Sequence, residues 1–283
     1  SRRNRRAPAA PLDSPRARRL EAAAGAPQGA GDKDRALADI VNVVCMKWGT
    51  LYGPHYVNRL ANMVRARLAR PHRFLCFTDD AEGVDPRVET APLPPIDLAP
   101  EHAMKPWRKI GLFNERLADL EGTTLFLDLD IVIVGGLDPF FDYEPGAFCI
   151  IRNWTRPENG IGNSSVYRFE VGADSYVLER FRSEPHRRWI DEYRNSQTFL
   201  SRSVRDLRFW PAEWCVSFKK HCVPKGPRRL FETPSVPEGA RIVVFHGLPN
   251  PDDALAGRWP EGDWWKRPFK RLRPAPWIAE HWR

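Results

Sequence analysis

The chain has 283 residues, a net charge of +8 and 42% hydrophobic residues. This length and hydrophobic content can form the core of one large α/β domain with appendages. No apolar run approaches the roughly 20 residues that span a bilayer, and the Arg-rich start lacks the apolar core of a signal peptide. We therefore exclude an integral membrane protein and expect a cytoplasmic location, where the five cysteines remain free thiols.

The positive charge lies mainly at the two ends of the chain. Residues 1–19 hold seven Arg and one Asp, and residues 255–283 hold seven Lys or Arg and three acidic residues. Residues 1–37 also contain few apolar side chains, which predicts a disordered tail. Such a tail either has no partner or contacts anionic lipid or nucleic acid.

Residues 40–78 predict a β-α-β unit. The runs at 40–46 and 74–77 are typical of buried strands, and residues 54–70 between them have helical spacing up to Pro71. A β-α-β unit implies parallel strands joined by a right-handed crossover, so the loops at the carboxyl ends of the two strands form one ligand crevice. The polar and aromatic side chains in those loops are Lys47, Trp48, Tyr52, Thr78 and Asp79.

The next segment is rich in proline and leads into a predicted helix. Residues 86–106 hold six Pro, so we expect an ordered loop without regular secondary structure. Residues 106–120 have helical spacing of apolar side chains with Pro106 in the first turn, which predicts a helix. Lys105 and Lys109 near its start belong either to a solvated basic face or to a ligand site.

The most informative stretch is residues 123–141, TTLFLDLDIVIVGGLDPFF. A short apolar strand runs into Asp128 and Asp130, and apolar residues then resume before a Gly-Gly break. Buried carboxylates are unfavourable without a compensating cation, and Mg²⁺ or Mn²⁺ suits a site with such oxygen ligands. The alternative is a surface strand on which both Asp side chains face water.

The remaining segments predict a mixed, mostly parallel sheet flanked by helices. Residues 147–151 and 241–245 have the composition of strands, and residues 214–222 are strand-like. Two helical stretches are predicted, at 173–183 and at 186–203. The predicted fold class is therefore α/β.

The predicted strand at 241–245 runs directly into His246 and Gly247. An imidazole added to two carboxylates shifts the preference of a metal site toward Mn²⁺, because nitrogen ligands suit transition metals. The neighbouring Gly allows the backbone to approach phosphate oxygens. A single His after a strand also often has a structural role, but ligand-type residues cluster at sites, so we expect His246 to join Asp128 and Asp130.

The LDLDIVIVGGLDPFF segment resembles the D-x-D segment of GT-A-fold glycosyltransferases and is most similar to the pattern of glycosyltransferase family 8. Three further segments resemble that family: NSSVYRF, which is otherwise interpreted as an edge strand, NSQTFL and HGLP. The resemblance covers roughly residues 40–250. The chain departs from the family at Ser196, where Asp is usual, and at Asn250, where a lysine is found.

This resemblance implies a GT-A-like fold and a retaining transfer of a sugar from a nucleotide-sugar, with UDP as the nucleotide. The acceptor would be a glycan or a lipid-linked molecule, as in bacterial cell-envelope polysaccharide synthesis. Asp128, Asp130 and His246 would hold Mn²⁺ or Mg²⁺ at the diphosphate, and Gln197 would lie near the anomeric carbon. The donor contacts implied are Lys47, Trp48, Tyr52, Thr78, Asp79, Lys105, Lys109, Asn163, Ser164 and Gly247.

Residues 256–283 interleave six aromatic side chains with Lys and Arg. This composition suits a peripheral contact with an anionic inner membrane face or stacking on single-stranded nucleic acid. We favour a third interpretation, in which the segment wraps around the domain with its Trp side chains inward. The predicted organisation is thus a tail at 1–37, a GT-A-like domain at 38–255 and this basic Trp-rich segment.

Two functions are compatible with these patterns. The favoured one is a metal-dependent glycosyltransferase of the hexosyltransferase type. The alternative is a basic, Trp-rich nucleic-acid-binding module in which the acidic pair is structural. The chain has no recognised nucleic-acid-binding motif and its centre is not basic, so we expect no specific nucleic acid.

Overall fold

The computed structural model describes residues 40–260 and 272–283. The strands in these residues are β1 Val41–Lys47, β2 His72–Thr78, β3 Glu89–Pro92, β4 Thr123–Leu127, β5 Ile131–Ile133, β6 Phe148–Arg152, β7 Gly162–Glu170, β8 Leu207–Phe209, β9 Cys215–Ser217 and β10 Ile242–Val244. The predicted tail at 1–37 and the side chains of Trp264, Trp265 and Phe269 lie outside the described residues.

Seven of these strands form the main sheet, in the order β3-β2-β1-β4-β7-β6-β8. β1 pairs in parallel with β2 and β4, β2 with β3, and β6 with β8, whereas β7 is antiparallel to both of its neighbours. The prediction of a mixed, mostly parallel sheet is confirmed. Since β1, β2 and β4 share one direction, their carboxyl ends meet at one edge of the sheet.

A smaller sheet has the order β5-β10-β9, with β10 antiparallel to β5 and parallel to β9. Between β4 of the main sheet and β5 of the small sheet lie only Asp128, Leu129 and Asp130. The chain therefore changes sheets at the two Asp residues. The alternative of one surface strand carrying both carboxylates is wrong.

Helices and turns cover both sheets. The described α-helices are α1 Pro54–Arg67, α2 Pro139–Asp142, α3 Tyr176–Arg182, α4 His186–Tyr193, α5 Ser196–Ser203, α6 Pro251–Leu255 and α7 Trp277–His281. 3₁₀ turns occur at Pro100–His102, Pro106–Phe113, Pro157–Asn159 and Gly226–Leu230, and a π-helical turn at Phe218–Cys222. Among the described residues, no helix has both the length and the apolar character needed to cross a membrane.

A hydrophobic core covers each face of the main sheet. Val43 and Cys45 of β1 belong to one core, which includes the buried face of α1. Val44 and Met46 belong to the other, which includes the apolar side chains of Pro106–Phe113. Burial on both faces explains why residues 43–46 of β1 form a continuous apolar run, as in other parallel sheets.

Two predictions for the segment before β4 are wrong. Residues 86–106 include β3, which adds an edge strand to the sheet. The helix predicted at 106–120 is a 3₁₀ helix that ends at Phe113. It ends there because the Asn114 side-chain amide donates to the Gly111 carbonyl at 2.7 Å and so competes with helix continuation.

The single helix predicted at 186–203 is also wrong, because the chain forms α4 and α5 instead. Arg194, with φ of +61°, ends α4 in the left-handed region. Asn195 then caps α5, since its side-chain oxygen accepts a hydrogen bond from the Thr198 N–H at 2.9 Å. This cap fixes the start of the helix that carries Gln197.

Two other strand predictions need correction. The strand-like stretch at 214–222 is a strand only in β9 and then forms a π-helical turn, in which His221 Nδ1 accepts from the Ser217 N–H at 2.9 Å. The edge-strand interpretation of residues 163–169 is wrong because β7 pairs with β4 on one side and β6 on the other.

The last described residues pack onto the domain. Trp282 is 3% exposed within the core that contains α1, and the Arg59 guanidinium lies 4.0 Å above its ring. The Trp277 indole N–H donates to the Pro234 carbonyl at 3.0 Å. The predicted inward packing of tryptophan is therefore confirmed for these two residues.

Candidate active site

The ends of β1 and β2 form the first part of the predicted crevice. Lys47 and Thr78 are paired in register, and the buried Lys47 ammonium donates to the Asp80 carbonyl at 2.8 Å. The Thr78 hydroxyl donates to the same carbonyl, and the Asp79 carboxylate accepts from the Gly49 N–H at 3.0 Å. These bonds tie the two loops together, so Lys47 and Thr78 brace the crevice and are already engaged within it.

The loop after β1 carries two aromatic side chains to the acidic pair. The Trp48 indole N–H donates to the Met104 carbonyl at 3.2 Å, which links this loop to the segment before Pro106–Phe113. The Tyr52 hydroxyl donates to Asp130 Oδ2 at 3.0 Å. The structure thus brings Trp48 and Tyr52 to the two Asp residues, as the sequence predicts for one crevice.

The backbone at the acidic pair is held by both sheets. The Asp128 N–H donates to the Ser165 carbonyl of β7 at 2.9 Å, and the Asp130 carbonyl accepts from the Phe245 N–H at 2.9 Å. Each carboxylate is therefore positioned by an element of regular structure rather than by a free loop. Such support is what a binding site for a small charged ligand requires.

Lys109 is the nearest cation to this pair. Its ammonium lies 2.5 Å from Asp128 Oδ1, 3.4 Å from the Ser164 carbonyl and 5.1 Å from the centre of the Phe126 ring. The residue is buried, because its helix packs in the core through Trp107 and Ile110. The solvated-face interpretation of Lys109 is therefore wrong.

The two carboxylates are incompletely compensated. One ammonium and one neutral phenol face two acidic groups, and burial together with the Asp128 charge raises the pKa of Asp130 to about 7. Lys109 and the Tyr52 hydroxyl oppose this shift. Burial, followed by the charge of Asp130, raises the pKa of the Tyr52 phenol, so that this group remains a neutral donor.

A cleft opens over the acidic pair. Its lining consists of Met46, Trp48, Leu51, Tyr52, Met104, Pro106, Lys109, Asp128, Leu129 and Asp130. Leu51 and Met104 are 76% and 58% exposed, although both are large apolar side chains. Exposed apolar groups beside a polar site are typical of a ligand-binding surface. Neither residue belongs to a sequence pattern that would have identified it.

His246 directly follows Phe245, whose N–H binds the Asp130 carbonyl, but the His246 side chain makes its contacts elsewhere. Its Nε2 shares a hydrogen bond of 2.7 Å with the Ser217 hydroxyl, and its ring stacks on Trp154 at 5.4 Å. Burial and the charges of Lys219 and Lys220 lower the pKa of His246 to about 4, so the ring is neutral. Sequence reasoning missed Ser217 and Trp154, since neither belongs to a recognisable motif.

The other predicted site residues are more dispersed. Asn163 and Ser164 begin β7 beside Asp128, and the Asn163 side chain accepts from the Ser165 N–H at 3.0 Å. Lys105 is exposed at the start of Pro106–Phe113, and Gly247 has φ of +67°. Gln197 lines a separate groove with Asn153, Thr155, Arg156, Asn159, Ile161, Asn195 and Thr198.

The residues present fit a divalent cation in part. An under-compensated carboxylate pair suits a hard dication, and a neutral imidazole is the protonation state that a metal requires. Within residues 40–260 and 272–283, however, no three His, Cys, Asp or Glu side chains are gathered as a ready-made metal cluster. The observed cation-compatible unit is the pair Asp128 and Asp130, and a third ligand from His246 stays a prediction.

A comparison with solved structures shows that the chain has the fold of the GT-A glycosyltransferases. The galactosyltransferase LgtC, crystallised in complex with donor and acceptor sugar analogs, has a TM-score of 0.52 and 15% sequence identity, covering 80% of this chain and 99% of LgtC. A structure of an active-site mutant of LgtC has a TM-score of 0.47 and 14% identity over the same shares of the two chains. No protein-family model and no curated protein sequence matches the chain.

Proposed function

We propose that the protein is a metal-dependent glycosyltransferase that moves a sugar from a nucleotide-sugar, with UDP as the nucleotide, to a glycan or lipid-linked acceptor. The observation that carries this proposal is the under-compensated pair Asp128 and Asp130, held where the main sheet and the small sheet meet in a GT-A fold. Two carboxylates in such a position have a clear role as ligands of Mn²⁺ or Mg²⁺.

The bound ion would neutralise negative charge on the departing diphosphate. Asp128 and Asp130 would hold it, with the neutral imidazole of His246 as the third ligand. Lys109, whose ammonium already faces Asp128, is placed to contact the diphosphate as well. Gly247 would allow close backbone approach to phosphate oxygens, since it has no side chain.

The base and ribose of the donor would occupy the cleft beside the pair. Trp48 and Tyr52 offer aromatic faces there, and Leu51 and Met104 extend the apolar surface to the rim. Asp79 and Thr78, at the end of β2, provide polar groups at the adjoining edge. Lys47 keeps both loops in place, and the exposed Lys105 adds positive charge near the entrance.

The sugar itself would lie between the pair and the start of β7. Asn163 and Ser164 immediately precede Ser165, whose carbonyl accepts from the Asp128 N–H, and they would supply small polar groups for sugar hydroxyls. Gln197, at the capped start of α5, lines a separate groove, and its place beside the sugar stays a prediction. We infer an oxocarbenium-like transition state with retention of configuration, in which Gln197 positions the sugar and Ser196 provides no carboxylate.

We place this activity in the cytoplasm, with cell-envelope polysaccharide as the product. The Lys and Arg side chains of the C-terminal segment, rather than the buried Trp282, would make a peripheral contact with an anionic membrane. Free cysteines support a reducing compartment, and all five in this chain are free and buried. The nucleic-acid-binding alternative is not favoured, because Trp282 is packed in the core and the Trp277 indole N–H is bonded to the Pro234 carbonyl.

Thermal unfolding in the presence of UDP tests the proposal. We expect UDP with Mn²⁺ to raise the melting temperature by several degrees, because a ligand that binds only the folded state stabilises it by mass action. UDP with EDTA should raise it much less. A melting temperature that rises only with an oligonucleotide, and less at high salt, would instead support the nucleic-acid-binding function.

A further inference from the structure

Lys109 forms an ion pair with Asp128, one of the two carboxylates that a metal ion would need as ligands. Its ammonium is 2.5 Å from Asp128 Oδ1, and the Asp128 side chain is 19% exposed, so a ligand from the cleft can reach it. An ammonium and a dication cannot share one carboxylate oxygen without strong repulsion at such short distances. In the state observed here, the ion pair therefore stands where metal coordination would take place.

The position of Lys109 is built into the fold. Its helix is anchored in the core by Trp107 and Ile110, and the ammonium is also within 3.4 Å of the Ser164 carbonyl. Asp128 is held from the other side by its backbone bond to Ser165. The two charges are thus kept adjacent by separate buried elements, unlike a surface ion pair between flexible side chains.

The charges of the site explain how the Lys109 ammonium could separate from Asp128. When both are ionised, the two carboxylates and the Lys109 ammonium carry a net single negative charge, and a dication added to them would leave a net positive charge in a partly buried cleft. A diphosphate is negatively charged, so it offsets this positive charge and also gives Lys109 a new anionic partner. The ion and the diphosphate should therefore each favour binding of the other.

We propose that Lys109 holds the place of the divalent ion on Asp128 in the donor-free protein and releases Asp128 when a donor diphosphate binds. The inference rests on the proposed function, since it takes a nucleoside diphosphate as the incoming ligand. It adds cooperativity between the two ligands to that function, because the metal binds weakly alone and tightly only together with the donor. Lys109 is a positioning residue for the metal in this account.

Titration of the purified full-length chain with Mn²⁺, followed by the electron paramagnetic resonance signal of the free ion, tests this role. Without nucleotide, Lys109→Met should bind Mn²⁺ on the order of tenfold more tightly than the unmodified protein. UDP should increase Mn²⁺ affinity strongly in the unmodified protein and much less in Lys109→Met. Lys225→Met removes an exposed lysine at the start of Gly226–Leu230 and should leave Mn²⁺ affinity unchanged.

The double variant Lys109→Met with Asp128→Asn locates the ion. It should lose the tighter Mn²⁺ binding of Lys109→Met, because the released carboxylate is gone. Lys109→Gln provides a second neutral replacement should Lys109→Met be poorly folded. The proposal is overturned by equal or weaker Mn²⁺ binding in the folded neutral variant, or by tight binding that persists in the double variant.

The nucleotide arm separates this proposal from the proposed function. Equal enhancement by UDP in the unmodified protein and in Lys109→Met overturns the release step. If UDP changes Mn²⁺ affinity in neither protein, while Lys109→Met still binds the ion more tightly, the UDP-sugar function is contradicted and the place-holding role of Lys109 is supported.

Discussion

Replacing Asp130 with Asn is expected to reduce sugar transfer by about a thousandfold, because the variant loses a negative charge that holds the ion at the leaving diphosphate. Asn keeps the size of the side chain and still accepts the hydrogen bond from the Tyr52 hydroxyl. The measurement is UDP release from a panel of UDP-sugars in the presence of Mn²⁺ and an acceptor mixture.

The same substitution should not weaken the fold. Since the pKa of Asp130 is raised to about 7, the folded protein binds more protons than the unfolded chain between about pH 4 and pH 7. The contribution of Asp130 to stability therefore falls as the pH rises through this range. We expect Asp130→Asn to be more stable than the unmodified protein at pH 8, by on the order of 1 kcal/mol, and to lose this advantage near pH 4.

Asp119→Asn is the matched control for both measurements. Asp119 is exposed and pairs with Arg73, which also binds Glu89, so its loss should change neither UDP release nor the pH dependence. Full activity of Asp130→Asn would show that this carboxylate takes no part in transfer. A stability deficit at pH 8 would show that its charge is well compensated in the fold.

The second large effect concerns stability alone. Arg168 of β7 is 1% exposed and donates to the carbonyl groups of Phe140, Glu144 and Ala147, with the first at 2.6 Å. Its guanidinium therefore ties the sheet to the turn between α2 and β6. Arg168→Met should lower the free energy of unfolding by about 3 kcal/mol, because buried carbonyls lose their donors. Urea unfolding measures this loss.

Arg208→Met on the edge strand β8, which β6 separates from β7, is the control for that substitution. Arg208 is exposed and pairs with Asp206 at 3.0 Å, so its removal should cost less than about 0.5 kcal/mol. Equal stability of the Arg168 and Arg208 variants would mean that the buried guanidinium contributes little beyond its hydrophobic stem.

The main features of the site follow from local sequence. The β-α-β pattern and the apolar residues around Asp128 and Asp130 indicate which strand ends carry the acidic pair, because strand composition and burial are local signals. The mixed sheet and the contact of Tyr52 with that pair agree with this prediction. Strand ends are informative because parallel strands place their carboxyl ends at one edge of the sheet.

Other contacts depend on parts of the chain that are distant in sequence. Nothing around His246 indicates that Ser217 would bind its ring or that Trp154 would stack on it, since 29 residues separate the hydrogen-bonded pair. The sequence is compatible with Lys109 either on a solvated basic face or in a ligand site, and only the fold shows its ion pair with Asp128. Helix ends were mispredicted where a side chain such as Asn114 competes for a backbone carbonyl.

A crystal of the protein grown with UDP and Mn²⁺, measured at an anomalous wavelength for manganese, shows whether the acidic pair binds the ion at the diphosphate. We expect one strong anomalous peak within about 2.3 Å of carboxylate oxygens from both Asp128 and Asp130, in contact with the diphosphate. A diphosphate bound without such a peak, or a peak that contacts neither carboxylate, would contradict this expectation.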